Sequence, residues 1–484
     1  MPVSKDFLPI AGASGQGDTT YAINQSIRFN DDDNAYLTKS FGSAGDRKTY
    51  TFSWWHKIGS KSGSSSQYVI HTDLAGGNSA DYLYFYDDKF YSWNQPTGQM
   101  LVTNRLFRDS SAWYHFVFVH DSTQAVSKER LRFYVNGERQ TSFSTENYPS
   151  LNYASGYFNN NQSHYIGGAN SLANRFDGYI AELHFLDGYG YGPEYFGEFK
   201  EDTDIWIPKE YTGSYGSNGF KIDGRDSSDL GDDESGNGND FTATNLAAND
   251  QVLDSPTNNF CVMSPLANQG SPTYAEGNLK VTMTSGVKKG AHSSFAISSG
   301  KWYVEGRLTS NNNGSQYAYT GIEDYNSAIN SGQYIGRDTY GYSYDPANGG
   351  VLHNNSYVVS SGTLASLAQN DIVQIAVDLD NNYIYWGKNG TFLNSGDPTS
   401  GSSGTGGVSV IAASSQPSGH YHIGHSNGTG SSGYQSEIVW NFGQEGTFAG
   451  GTSAGGNKDS NGIGNFKYSV PSGFLALCTK NLGS

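Results

Sequence analysis

The chain has 484 residues, 15% of them charged, with 46 Asp and Glu against 29 Lys and Arg and a net charge of −17. That length accommodates two or three domains with their own cores, and so acidic a balance excludes nucleic-acid binding through a basic surface. No apolar run of about 18 residues occurs, so no helix is expected to insert in a membrane.

The 62 Gly, 35 Tyr and 25 Phe beside 4 Met and 2 Cys fit many short strands and tight turns. Asn, Ser, Thr and Gly fill the polar surface, as suits an extracellular or particle-borne protein. The start, Met1-Pro-Val-Ser-Lys-Asp6, lacks the apolar core of a signal peptide, so synthesis in a cytoplasm is expected.

Residues 1–20 are rich in Gly and Ser around one apolar cluster, Phe7-Leu-Pro-Ile10, and read as an extended arm. Such an arm is either a disordered tail or a segment that docks on a neighbouring subunit. Residues 21–190 read as all-β. Strands are predicted at 26–29, 49–55, 82–86, 113–120, 131–135 and 176–185. Turn signals such as Asp31-Asp-Asp-Asn34, Gly76-Gly-Asn78 and Gly167-Gly168 separate them at sandwich-like intervals. One of these runs, Leu131-Arg-Phe-Tyr-Val135, ends in Asn136-Gly137, the strongest short hairpin signal. In order, Phe52-Ser-Trp-Trp55, Trp113-Tyr-His-Phe-Val-Phe118, Phe133-Tyr-Val-Asn-Gly-Glu138, Tyr165-Ile-Gly-Gly168 and Phe176-Asp-Gly-Tyr-Ile-Ala-Glu-Leu183 resemble the laminin-G or concanavalin A-like jelly roll.

Residues 191–262 hold 15 Asp and Glu against 4 Lys and Arg, which is −11 of the −17, and read as a separate acidic connector. Tyr191-Gly-Pro-Glu-Tyr-Phe-Gly-Glu-Phe199 predicts one short helix at its start. The stretch Asp233-Glu-Ser-Gly-Asn-Gly-Asn-Asp240 resembles the opening loop of another laminin-G-like unit, a place where Asp and Asn side chains hold calcium. No full third sandwich follows it.

Residues 263–448 form a second all-β set. Gly300-Lys-Trp-Tyr-Val-Glu305, Tyr319-Thr-Gly-Ile322, Asn348-Gly-Gly350, His353-Asn354, residues 371–378, Ile384-Tyr-Trp-Gly-Lys-Asn-Gly390 and Val439-Trp-Asn-Phe-Gly-Gln444 follow in an order that resembles the SPRY domain, a bent β-sandwich used for recognition. Asn389-Gly390 repeats the hairpin signal, and the Gly- and Ser-rich run 395–407 reads as a loop. Residues 449–484 are apolar enough to dock. Cys261 and Cys478 flank the second sandwich; buried free thiols are expected, with a disulfide as the competing reading. The fold class is therefore all-β, two antiparallel sandwiches joined by the connector.

The layout as a whole also resembles structural proteins of tailed bacteriophages, marine ones in particular. The residues that carry this are the Phe-Leu-Pro-Ile arm, Gln25-Ser-Ile-Arg-Phe-Asn30, Asp254-Ser-Pro-Thr-Asn-Asn-Phe260 and Phe474-Leu-Ala-Leu-Cys478. The resemblance implies a virion appendage, such as a tail fibre, with other virion proteins and a host-surface glycan or protein as partners. It also implies a homo-oligomer, a trimer by analogy with phage fibres. Pure decoration of head or tail is the alternative function, and a glycan hydrolase the lesser one.

Hydrolysis by a retaining glycosidase needs two carboxyl groups about 5–5.5 Å apart, and no strand offers acids at i and i+2 or i+4. Glu194, Glu198 and Asp202 have suitable spacing only on a helix, and Glu182 and Asp187, five apart, point to opposite faces of a strand. Binding without catalysis is the expectation. Calcium is the best-suited metal, because it takes hard oxygens. Asp31 and Asp33 offer them in one turn, and Asp232, Asp233, Asn237, Asn239 and Asp240 in another. The competing reading is that Asp and Asn simply favour turns. His420 and His422 share a strand face, either as a metal pair on a trimer axis or as plain surface or partly buried imidazoles. The triplets Tyr82, Tyr84, Tyr86 and Tyr340, Tyr342, Tyr344 each share one strand face and are expected to face the core, with stacking on a sugar as the competing reading. Trp93 and Tyr325, beside turn signals, are the expected ligand contacts.

Overall fold

Asn136 and Gly137 both take positive φ, 48° and 79°, as a two-residue type I′ turn requires. The turn folds Glu138–Arg139 back on Leu131–Val135. Asn389 and Gly390, at 50° and 91°, do the same between Tyr383–Lys388 and Thr391–Phe392. In this computed structural model the described residues are 21–59, 66–73, 80–95, 97–168, 175–284, 290–311, 318–326, 333–427 and 435–483. The N-terminal arm lies outside them. The protein is all-β and divides into two units, with the boundary between Thr257 and Asn258.

The first unit is a sandwich of two antiparallel sheets. One runs in the order Glu138–Arg139, Leu131–Val135, Trp113–Asp121, Thr49–Ile58, Gly178–Asp187, Ser26–Phe29, Gln251–Val252, with Phe220–Ile222 also paired to Gly178–Asp187. The other runs Phe143–Glu146, Gly98–Thr103, Lys89–Asn94, Tyr82–Tyr86, Gln67–Asp73, Ser163–Ile166, Tyr36–Ser40, Thr242–Thr244. Between them lies a core that includes Phe29, Leu37, Phe52, Trp54, Leu83, Phe85, Phe90, Phe116, Phe133 and Leu183.

The stretch expected as an acidic connector is instead part of this sandwich. It supplies Phe220–Ile222 and Gln251–Val252 to the first sheet and Thr242–Thr244 to the second. Its start is a single 3-10 turn, Pro193–Tyr195. Net charge hid this, because the acids sit mostly in turns while Phe196, Ile207, Phe220, Ile222, Leu230 and Phe241 are buried. Asp254 anchors its end. That carboxylate meets Lys57 Nζ at 2.7 Å, both side chains fully buried, and accepts from Trp113 Nε1 at 3.0 Å.

The same stretch covers the outer face of the first sheet. Val117, Val119 and Leu186 lie under Phe196 and Tyr211. Trp55, Trp113 and Tyr179 cluster with Ile23, Val252 and Trp206. Trp206 lies so flat that a Cβ on Gly137 or on Gly197 would come within 2.4 Å of its ring. With both faces covered, Gly178–Asp187 is buried at every position.

In the second unit, one sheet runs Met263–Gln269, Gly290–Ile297, Tyr421–Asn427, Ala318–Glu323, Gly341–Asp345, Gly350–His353, Ser356–Val359. The other runs Thr273–Ala275, Lys280–Met283, Ser436–Asn441, Lys301–Asn311, Ile372–Asp378, Tyr383–Lys388, Thr391–Phe392. The C-terminal segment docks on this second sheet. Leu475–Ala476 pairs in parallel with Trp302 and Tyr303, and Phe466, Phe474 and Cys478 pack on Phe260, Tyr303, Ala376 and Tyr385. Cys261 and Cys478 are buried free thiols.

Candidate functional site

Where one face of a sheet meets solvent, burial alternates along its strands. Lys89–Asn94 does this strictly: Phe90, Ser92 and Asn94 are buried, while Lys89, Tyr91 and Trp93 are half-buried. The neighbouring strand puts Leu83 and Phe85 in the core, so Tyr82, Tyr84 and Tyr86 stand on the outer face. The core expectation for this triplet is thus reversed, and Tyr86 is 39% exposed. Tyr342 and Tyr344 of the other triplet do face their unit's core.

A β-bulge completes the face. Tyr68 and His71 are three residues apart, which on a regular strand means opposite sides. A register shift between Tyr68 and Ile70 adds a residue and turns both rings to the outer side of the sheet, 5.5 Å apart, although His71 is still only 2% exposed there; Val69 and Ile70 both point into the core. Tyr165 on Ser163–Ile166 and Tyr36 on Tyr36–Ser40 extend the face toward the far edge, their rings 5.8 Å apart.

The result is a row of rings across five neighbouring strands. Trp93 pairs with Tyr82, Tyr82 with His71 and His71 with Tyr165, and Tyr36 follows. At about 4.8 Å per strand the row spans roughly 19 Å. A second row, Tyr91, Tyr84 and Tyr68, lies beside it in register. The rings brace one another: His71 stacks on Tyr82 at 4.8 Å and 9°, and Tyr84 on Tyr91 at 4.9 Å and 22°. Burial pushes the His71 imidazole down to about 3, so it is a neutral ring at ordinary pH. The Arg175 guanidinium lies 5.6 Å over Tyr36 and closes that end.

Of the expected ligand contacts, Trp93 is in this row, half-buried, its Nε1 donating to Gln95 Oε1 at 3.4 Å. Tyr325 belongs to the other unit, half-buried, 6.1 Å from both His292 and His422. His422 is fully buried, its Nδ1 2.9 Å from the Ser293 carbonyl.

The Asp233–Asp240 loop does not fit a calcium cage. Asp233 Oδ1 already accepts from the Lys221 and Ser235 amides, and Oδ2 from Ser235 Oγ and the Asn239 amide. Asn237 and Asn239 donate to the Gly216, Ser217 and Gly219 carbonyls, and Asp240 accepts from the Asp233 amide; Asp232 is a half-buried neighbour. At the first turn, Asp33 accepts from Asn30, and the Asp31 carboxyl is pushed up by burial and by Asp32. Among the described residues no group of three His, Cys, Asp or Glu is placed to hold a metal. Both sets of side chains hold turns.

The sequence reading missed Tyr36, Tyr68, His71, Tyr91 and Tyr165. The alternation in Lys89-Phe-Tyr-Ser-Trp-Asn94 was a usable signal for Tyr91; the bulge at residue 69 has no signature in the chain.

No curated protein matches this chain. Among solved structures, the SPRY domain of human HERC1 is similar at 18% identity, covering 37% of this chain and 96% of that one, with a TM-score of 0.28. A structure named "putative carbohydrate binding protein" from Bacteroides ovatus ATCC 8483 is similar at 14% identity, covering 46% of this chain and 59% of that one, with a TM-score of 0.33. Residues 30–189 match the family model described as the Concanavalin A-like lectin/glucanases superfamily, and that stretch contains every ring of both rows.

Proposed function

We propose that the first unit is a glycan-binding module whose ligand lies along the aromatic row from Trp93 to Tyr36. The row across five strands, in register from Trp93 to Tyr165 and continued by the Tyr36 ring, carries this reading. Flat ring faces suit the C–H faces of pyranoses, and phenol and indole groups suit their hydroxyls. A span of roughly 19 Å (four inter-strand spacings of about 4.8 Å) calls for an extended oligosaccharide rather than a single sugar. The family match on residues 30–189 supports the same reading. Thr38, Ser163 and Lys89 lie beside the rings on that face and supply hydrogen-bonding groups, and the reading we propose is binding.

The setting we propose, a homo-oligomeric tailed-phage virion appendage that binds host-surface glycan, rests on the sequence resemblance. Multiple copies would raise avidity by about 10²–10⁴ without new contacts. A purely decorative role has the N-terminal arm, outside the described residues, and the C-terminal segment as anchors; the apolar residues of the latter pack on its own unit. The test is a glycan array followed by titration calorimetry of the best oligosaccharide. Trp93→Ala and Tyr82→Ala should each weaken binding tenfold or more at unchanged circular dichroism. Unaltered affinity in both variants, or a fully silent array, would refute the module.

A further inference from the structure

The last strand of the seven-stranded sheet in the second unit carries a different surface. A turn at Asn354 and Asn355, both at positive φ, joins Gly350–His353 to Ser356–Val359. Tyr357 on that edge strand is 41% exposed. Its ring lies against the backbone of Gly350, where a Cβ would meet it at 2.7 Å.

One buried carboxylate fixes the rings here. Asp345, fully buried, accepts from the Tyr357 hydroxyl at 2.7 Å and the Tyr319 hydroxyl at 3.3 Å. The Ala347 and Asn348 amides hold its other oxygen at 3.1 Å. Tyr334 stacks on Tyr319 at 5.0 Å. Over Tyr334, at 5.9 Å, lies the exposed Arg337 guanidinium, held by Asn355 Oδ1 at 2.5 Å.

Arg337 has no carboxylate within 4.0 Å among the described residues. The two buried cations among the described residues each have one, Lys57 with Asp254 and Arg28 with Asp250, whereas Arg337 is exposed to solvent. A guanidinium held on one edge by an amide oxygen and on one face by a ring still offers N–H groups to a planar anion. We infer that Arg337, Tyr334 and Tyr357 form a second binding site, specific for a carboxylate-bearing saccharide such as a uronic or sialic acid. The carboxylate takes the free N–H edge of Arg337, and the sugar ring lies on the exposed face of Tyr357. The inference rests on the reading of this protein as a glycan binder, but on a separate surface with separate chemistry.

The test uses the full chain and calorimetric titration with glucuronic acid tetramer, galacturonic acid tetramer and sialyllactose, each beside its carboxyl-reduced form. At least one acidic saccharide should bind tenfold or more tightly than its reduced form. Arg337→Ala should abolish that preference, Arg337→Lys should keep part of it, and Trp93→Ala should leave it intact. Equal binding of every acid and reduced pair, or a preference that survives Arg337→Ala, overturns the site. Tetraglutamate is the control: if it binds through Arg337 while the saccharides do not, the surface reads acidic peptide and the inference fails. Neutral-glycan binding that survives Trp93→Ala and Tyr82→Ala unchanged, with Arg337-dependent binding of the acidic saccharide retained, would refute only the aromatic row.

Discussion

Single side chains in the first unit do structural work that composition cannot reveal. Asp81 is fully buried beside the strand that carries Tyr82. It accepts from Asn94 Nδ2, Ser155 Oγ and the amides of Gln95, Tyr157 and Phe158, so it ties the 153–158 loop to the strands under the aromatic rows. Burial pushes this carboxyl from 3.8 up to about 6 despite those donors. A folded-state value above the unfolded one means that its contribution is full below pH 3.8 and is lost as pH rises through 6. The loss is on the order of 3 kcal/mol. The difference in urea stability between wild type and Asp81→Asn cancels most other titrations. That difference should fall between about pH 4 and pH 6, and a flat difference curve would show that Asp81 stays ionised in the fold.

At the scale of elements, legibility followed burial. Trp113–Asp121 and Ile372–Asp378, buried at nearly every position, announced themselves as apolar runs, and Asn-Gly turns marked their hairpin partners. The half-solvated strands that build the candidate site were quieter, because a face made of Tyr reads as core when only period two is visible. The bulge that turns Tyr68 and His71 to one side depends on tertiary pairing, and no local signal encodes it. The C-terminal segment was legible as apolar, but its receptor was not. That receptor is Glu305, buried in Lys301–Asn311, which accepts from the amides of Lys467 and Tyr468 at 2.8 Å each and from the Tyr303 hydroxyl at 2.9 Å. Glu305→Ala leaves those donors without partners and should cost about 3 kcal/mol. Amide exchange should then speed up at Lys467 and Tyr468 first; unchanged protection there would mean that the apolar contacts of Phe466 and Phe474 alone hold the segment.

For the molecule as a whole, the decisive feature is where the first unit ends. A reading by charge places its boundary near residue 190, but the fold places it after Thr257. A fragment of residues 21–190 would lose three strands of the two sandwich sheets, at 220–222, 242–244 and 251–252. It would also bare Trp55, Val117, Val119 and Leu186, which the later segment covers, and strand Lys57 as a buried cation without Asp254. The last loss alone costs about 3–5 kcal/mol, a large share of the roughly 5–15 kcal/mol that stabilises a domain. Residues 18–257 contain every one of these partners. Expressed separately, 18–257 should give one cooperative thermal transition and keep Trp93-dependent glycan binding, while 21–190 should be insoluble or bind a hydrophobic dye without a transition. Cooperative folding of 21–190 would restore the acidic stretch to the status of a connector and leave its strands as ornaments on a self-sufficient sandwich.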